Sequence, residues 1–139
     1  MSLRLLLALS GSLEILAGLP ALITPALVVS LLLGSPLDSI GVVLTRLFGA
    51  GVFALGLACL KARNDVGSPA GLAVSIGITA YNVLAAVVLI WTAAGSGFGG
   101  LLLWGAGIVH AVFGVLFLSV PRGRAANLTE RGSVERLCV

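Results

Sequence analysis

Apolar residues fill this chain in four long runs, and most polar residues fall between them. The runs cover 3–25, 39–60, 70–94 and 101–120. Each is about the ~20 residues that a helix needs to cross a hydrocarbon core ~30 Å thick. The pattern predicts an all-α, polytopic membrane protein: a four-transmembrane-helix bundle over 1–121, followed by a basic cytoplasmic tail over 122–139. Apolar sequence continues past the first span to Leu33, with Pro20 and Pro25 inside it. Proline removes a backbone donor and crowds the preceding turn, so a kink or break is expected there, then a short outer helix or re-entrant turn up to Gly34. Asp38 or Ser39 can cap the second span, and Lys61 and Arg63 suit its carboxyl end. Glycines crowd the outer loop at 95–100, and Pro121 ends the fourth run. Arg4 followed by an apolar run resembles a signal peptide, but the run is too long for one and is expected to be a retained span.

Composition names the solvent. Of 139 residues, 59% are hydrophobic and 9% charged, and the mean hydropathy is +1.20. A soluble domain carries about 25% charged residues, so lipid must cover most of this surface. The net charge of +3 does not point to nucleic acid, because the basic residues flank apolar runs instead of forming a face. Arg4, Lys61, Arg63, Arg122, Arg124, Arg131 and Arg136 all fall on one side of a four-span model, which places both termini in the cytoplasm. Trp91 and Trp104 reach the outer boundary, where an aromatic belt is expected. Cys59 and Cys138 have no metal or redox spacing; Cys59 reads as a small core residue. Cys138-Val139 is not a prenylation box, and Asn127-Leu128-Thr129 would lie on the side where glycosylation does not occur.

One polar residue interrupts the middle of each run: Glu14, Arg46, Asn82 and His110. Glu14 lies about 15 Å from the inner boundary and Arg46 about 12 Å below the outer one, counted by helical rise. Asn82 and His110 are midway along their runs. Polar side chains at that depth are costly and mark functional sites by default. The four are expected to cluster inside the bundle, with a Glu14–Arg46 pair at its centre, since arginine keeps its charge and needs an anion or several acceptors. Tyr81, Thr79, Trp91 and Trp104 are further candidates for the lining. The opposing reading stands level with this one: a buried ion pair can serve only to fix helix order, with Asn82 and His110 satisfying leftover donors.

The chain has one histidine and its only methionine is Met1, so a zinc or haem site within one chain is not expected. No nucleophile–base pair or phosphate loop is found, and the chain is not read as an enzyme. Gly49, Gly56, Gly77, Gly107 and Gly114 are expected to bring helix backbones together. Leu47-Phe48-Gly49-Ala50-Gly51-Val52 matches Leu103-Trp104-Gly105-Ala106-Gly107-Ile108, which is compatible with a duplicated helical hairpin.

The run Arg46-Leu47-Phe48-Gly49-Ala50-Gly51-Val52-Phe53-Ala54-Leu55-Gly56-Leu57 resembles the second span of DoxX-like small bacterial four-helix membrane proteins, where an arginine near a span start precedes glycines about three and ten residues on. That resemblance implies a bacterial inner-membrane protein: an accessory subunit, or a protein that binds a small hydrophobic molecule such as a quinone or lipid. A second resemblance is to small multidrug exporters, which also have four short spans and a glutamate in the first; it implies a proton-coupled transporter acting as a homo-oligomer. The aromatic-rich Gly/Ala motif of that family is missing here, and an Arg46 partner would neutralise the glutamate. The expected partners are the lipid bilayer, a larger membrane complex or further copies of the chain, and a hydrophobic small molecule.

Overall fold

The computed structural model describes residues 1–95 and 97–120. The tail expected at 122–139, with Cys138 and Asn127, lies outside the described residues. Five helices follow in order: α1 (Leu3–Ile23), α2 (Pro25–Leu33), α3 (Ser39–Ala62), α4 (Pro69–Gly95) and α5 (Leu103–Ser119). Among them α1, α3 and α4 are long and apolar enough to cross a membrane, whereas α5 is a shorter apolar helix of 17 residues.

Local chemistry sets the helix ends. The Ser2 side chain accepts from the Leu5 amide at the start of α1. Pro20 sits inside α1, and the chain breaks at Thr24, so that Pro25 opens α2 at a position where its missing donor has no cost. Gly34 ends α2 in the left-handed region (φ 69°), which glycine enters freely. Of the two candidate caps for α3, Asp38 fills the role, accepting from the Gly41 amide at 2.7 Å.

The buried positions of each long helix recur in steps of three and four. They are Leu6, Leu7, Ser10, Gly11, Glu14, Gly18 and Ala21 in α1; Gly49, Val52, Gly56, Cys59 and Ala62 in α3; Gly71, Ser75, Ile78, Thr79, Asn82 and Ala86 in α4; and Leu103, Gly107, Gly114 and Phe117 in α5. That spacing keeps one seam of each helix toward its neighbours. Large apolar residues such as Leu16, Leu44, Leu84 and Val115 face outward, as they do where lipid replaces water.

Two hairpins result. In the first, α1 and α3 meet backbone to backbone: a Cβ on Gly18 would lie 2.6 Å from the Phe53 nitrogen, and one on Gly56 would lie 2.7 Å from the Gly11 carbonyl oxygen. In the second, α4 and α5 meet through side chains, with Gly107 against Ile90 and Gly114 against Val83. At one end the hairpins share an apolar cluster of Leu6, Leu7, Cys59, Ala62, Ile78 and Phe117. Arg4 lies at this end, donating to the Arg63 carbonyl at 3.1 Å. At the other end α2 reaches α5: the Leu102 amide donates to the Leu31 carbonyl at 3.0 Å, and Gly100 packs on Leu32. Gly77, expected in a helix contact, faces open space. The matched glycines of the repeat also differ: Gly49 packs on α1 while its counterpart Gly105 is open, and Gly51 is open while its counterpart Gly107 packs on α4.

Candidate functional site

Polar groups gather where the two hairpins face each other, between the apolar cluster and the α2 end. Glu14 enters from α1 and is 3% exposed. Its polar partner is Tyr81 of α4, whose hydroxyl donates to the carboxyl group. The Tyr81 ring meets the His110 ring edge-on, with centroids 5.5 Å apart and planes at 86°. His110 Nδ1 lies 3.0 Å from Asn82 Oδ1, and Asn82 Nδ2 donates to the Ile78 carbonyl at 2.9 Å. These contacts link α1, α4 and α5 in one chain of polar groups.

The α4 side is built by a ladder along one face. Ser75 Oγ donates to the Gly71 carbonyl and Thr79 Oγ1 to the Ser75 carbonyl, at 2.8 and 2.6 Å, and Asn82 repeats the step onto Ile78. Each side chain returns a donor to its own helix, which keeps a polar face tolerable away from water. Ser10 differs: it is 1% exposed, one turn before Glu14 on the same face, and its Oγ has no hydrogen-bond partner among the described residues.

Arg46 does not join this site, which corrects the expected Glu14–Arg46 pair and the expected common depth. The register explains why. Gly11 meets Gly56, and Gly18 meets Gly49, so Arg46 stands level with Ala21, in the last turn of α1. That is about 10 Å of helical rise from Glu14. Arg46 is also exposed on the outer surface of α3. Counting from Asp38 misplaces it because α3 extends past the end of α1, alongside α2. Trp91 and Trp104 do not line the polar site either; they are 78% and 53% exposed. Trp91 instead borders an open apolar groove of about 640 Å³ between α4 and α5, lined also by Val83, Val87, Ile90, Ala111 and Val115.

Tyr81 and Ser10 carry more of the site than their sequence signals suggest. Tyr81 is the chain's only tyrosine and precedes Asn82, which was the available clue. Ser10 could be found only by stepping back four residues from Glu14.

His110 has an unusual environment. Leu103, Gly107, His110, Gly114 and Phe117 follow one another in steps of four and three, and all but His110 are buried. His110 is half-buried although it occupies an inward-facing slot of that seam. Part of its surface therefore stays uncovered. Among the described residues no group of three or more His, Cys, Asp or Glu side chains could hold a metal ion. No family model, curated protein or solved structure matches the chain.

Proposed function

We propose that the chain is a four-span membrane protein that holds a small hydrophobic molecule with a polar head, a quinone or lipid, in a crevice beside His110, and that it acts as a binding or accessory subunit without catalysis of its own. The observation that carries this reading is His110: a ring on the inward seam of α5, held at Nδ1 by Asn82 and edged by Tyr81, yet only half-buried. Binding sites between helices combine apolar walls with a few placed polar groups. Here the walls are the apolar seams, and the polar groups are Glu14, Tyr81, Asn82 and His110. The resemblance to DoxX-like proteins supports the same reading.

In this reading α5 is the fourth span. Its 17 residues rise about 25 Å, which a slight local thinning of the bilayer accommodates. Arg4, Lys61 and Arg63 gather at one end, which the positive-inside rule assigns to the cytoplasm of a bacterial inner membrane. The two-hairpin arrangement leaves open a duplicated origin, and a larger membrane complex or homo-oligomer is the setting in which such a subunit works.

One observation favours a second reading, a proton-coupled transporter. Among the described residues Glu14 has no arginine beside it, so none of them neutralises the carboxyl group as a fixed cation. An intramembrane carboxyl without a counter-charge is a candidate proton carrier.

The test uses full-length protein in lipid nanodiscs and liposomes. Organic extracts of the purified protein should yield a hydrophobic molecule in near-stoichiometric amount, reduced in folded His110→Leu and Glu14→Gln variants. Liposomes bearing a proton gradient should show no uptake of cationic dye. Robust uptake lost in Glu14→Gln would replace the binding reading with the transporter.

A further inference from the structure

The hydrogen-bonding polarity of the groups around His110 is fixed by the protein before any ligand arrives. Asn82 has one amide nitrogen and one oxygen, and only the nitrogen can donate to the Ile78 carbonyl at 2.9 Å. The oxygen therefore faces His110 Nδ1 at 3.0 Å, and Nδ1 must carry the hydrogen. In the neutral ring that leaves Nε2 as a lone-pair acceptor, the tautomer being set by the partner of the other nitrogen. Nε2 has no hydrogen bond among the described residues. Tyr81 uses its only hydrogen on Glu14, so its oxygen can only accept further bonds. The Glu14 carboxyl already draws a hydrogen from Tyr81 and offers a second oxygen. Against these acceptors stands one unused hydroxyl, that of Ser10.

From this imbalance we propose that the crevice selects amphiphiles whose head group donates a hydrogen bond, a hydroxyl or phenol, over the matching ether or carbonyl. The proposal rests on the ligand-binding reading above and deepens it. His110 Nε2 is the acceptor that meets the head. Asn82 is a positioning residue: it holds the imidazole hydrogen on Nδ1 and so keeps Nε2 open. The acceptor left unpaired by an ether is what disfavours the ether, since a site built for a donor rejects the analogue that lacks it.

The test compares 4-octylphenol with its methyl ether, 4-octylanisole, binding to the full-length protein in nanodiscs, with partition into empty nanodiscs subtracted. The phenol should bind about tenfold tighter, the scale of one hydrogen bond to an otherwise unpaired acceptor. His110→Leu should bring the phenol down to the level of the ether. Asn82→Leu removes the acceptor for Nδ1 and should weaken the preference. A second measurement does not depend on any variant folding. The chain has one histidine, so ¹⁵N-histidine labelling reports on this ring alone. The hydrogen should be found on Nδ1, and the Nε2 resonance should move when the phenol is added and stay when the ether is. Equal binding of the two probes, or the hydrogen on Nε2, would overturn the donor preference and leave the binding reading standing. Binding of neither probe, with no hydrophobic molecule retained on purification, would remove both.

Discussion

The two hairpins solve the same problem, bringing apolar helices together in lipid, in different ways. In α1/α3 the contact is backbone on backbone: Gly11, Gly18, Gly49 and Gly56 leave no room for a side chain. In α4/α5 a Cβ added to the glycines would meet movable side chains, at 3.0 Å for Gly107 on Ile90 and 3.1 Å for Gly114 on Val83. The second hairpin also carries a hydrogen bond across its interface, from His110 to Asn82. Apolar association gains little from hydrophobicity when lipid is the solvent, so close packing and polar contacts must supply the attraction. The first hairpin relies on packing and acts as a rigid clamp. The second is less tightly interlocked, and the ionisable and amide groups of the site lie mostly on it. Glu14 is the exception, and it ties the clamp to the adaptable half through Tyr81.

The clamp can be broken most severely. Gly18→Leu would drive a side chain into the backbone at Phe53 and Gly49, neither of which can move without separating the helices. The expected destabilisation is at or above about 3 kcal/mol, the upper end of ordinary overpacking. Gly114→Ala in the second hairpin should change stability by less than about 1 kcal/mol, because Val83 can yield and alanine is the better helix former. Unfolding of both variants in detergent or bicelles, followed by tryptophan fluorescence, measures the contrast. Similar losses at the two positions would erase the distinction between the hairpins.

The tie between the halves comes next. Tyr81→Phe removes the donor that Glu14 uses and leaves a buried carboxyl without that bond, at a cost of about 1–3 kcal/mol. A double-mutant cycle of Tyr81→Phe with Glu14→Gln should give a coupling of about 1 kcal/mol. Additive effects would mean that the two residues act independently. Within the second hairpin, Asn82→Leu should cost less, about 0.6–1.7 kcal/mol, the range for interhelical polar contacts in membrane bundles.

The difference between the hairpins also explains what could be read from the sequence. The all-α membrane class is visible in the apolar runs, because length and hydropathy are properties of each helix alone. The α3 cap at Asp38 is visible for the same reason: a cap is local. Glu14, Asn82 and His110 announce themselves as polar residues in apolar surroundings, and the structure brings these three to one region. Their partners are set by how the helices are staggered. Arg46 was placed by counting from its own helix end, but its neighbours depend on where α3 meets α1. That register is written in the glycine spacing: Gly11 and Gly18, seven apart, answer Gly56 and Gly49, seven apart. Aligning those pairs first would have put Arg46 beyond the site. Gly77 and Gly105 carry the opposite lesson, since a glycine in a span does not reveal by itself whether another helix covers it.

Arg46 gives the smallest expected effect and the sharpest check on that register. Were it the partner of Glu14, Arg46→Leu would strand a buried carboxylate and cost about 3–5 kcal/mol. In the structure Arg46 is exposed on α3, level with Ala21 in the last turn of α1. Its side chain leans toward the amino-terminal end of the helix, as helical side chains do, and this is the end at Asp38, away from Glu14. The guanidinium can then reach the headgroup region while its methylene stem stays in lipid. Removing it takes nothing from the polar site, so Arg46→Leu should shift unfolding by less than about 0.5 kcal/mol. In a double-mutant cycle with Glu14→Gln the coupling should be zero within error, in contrast to the cycle with Tyr81. A coupling of 1 kcal/mol or more would require α3 to slide along α1 by about seven residues, which the glycine contacts forbid.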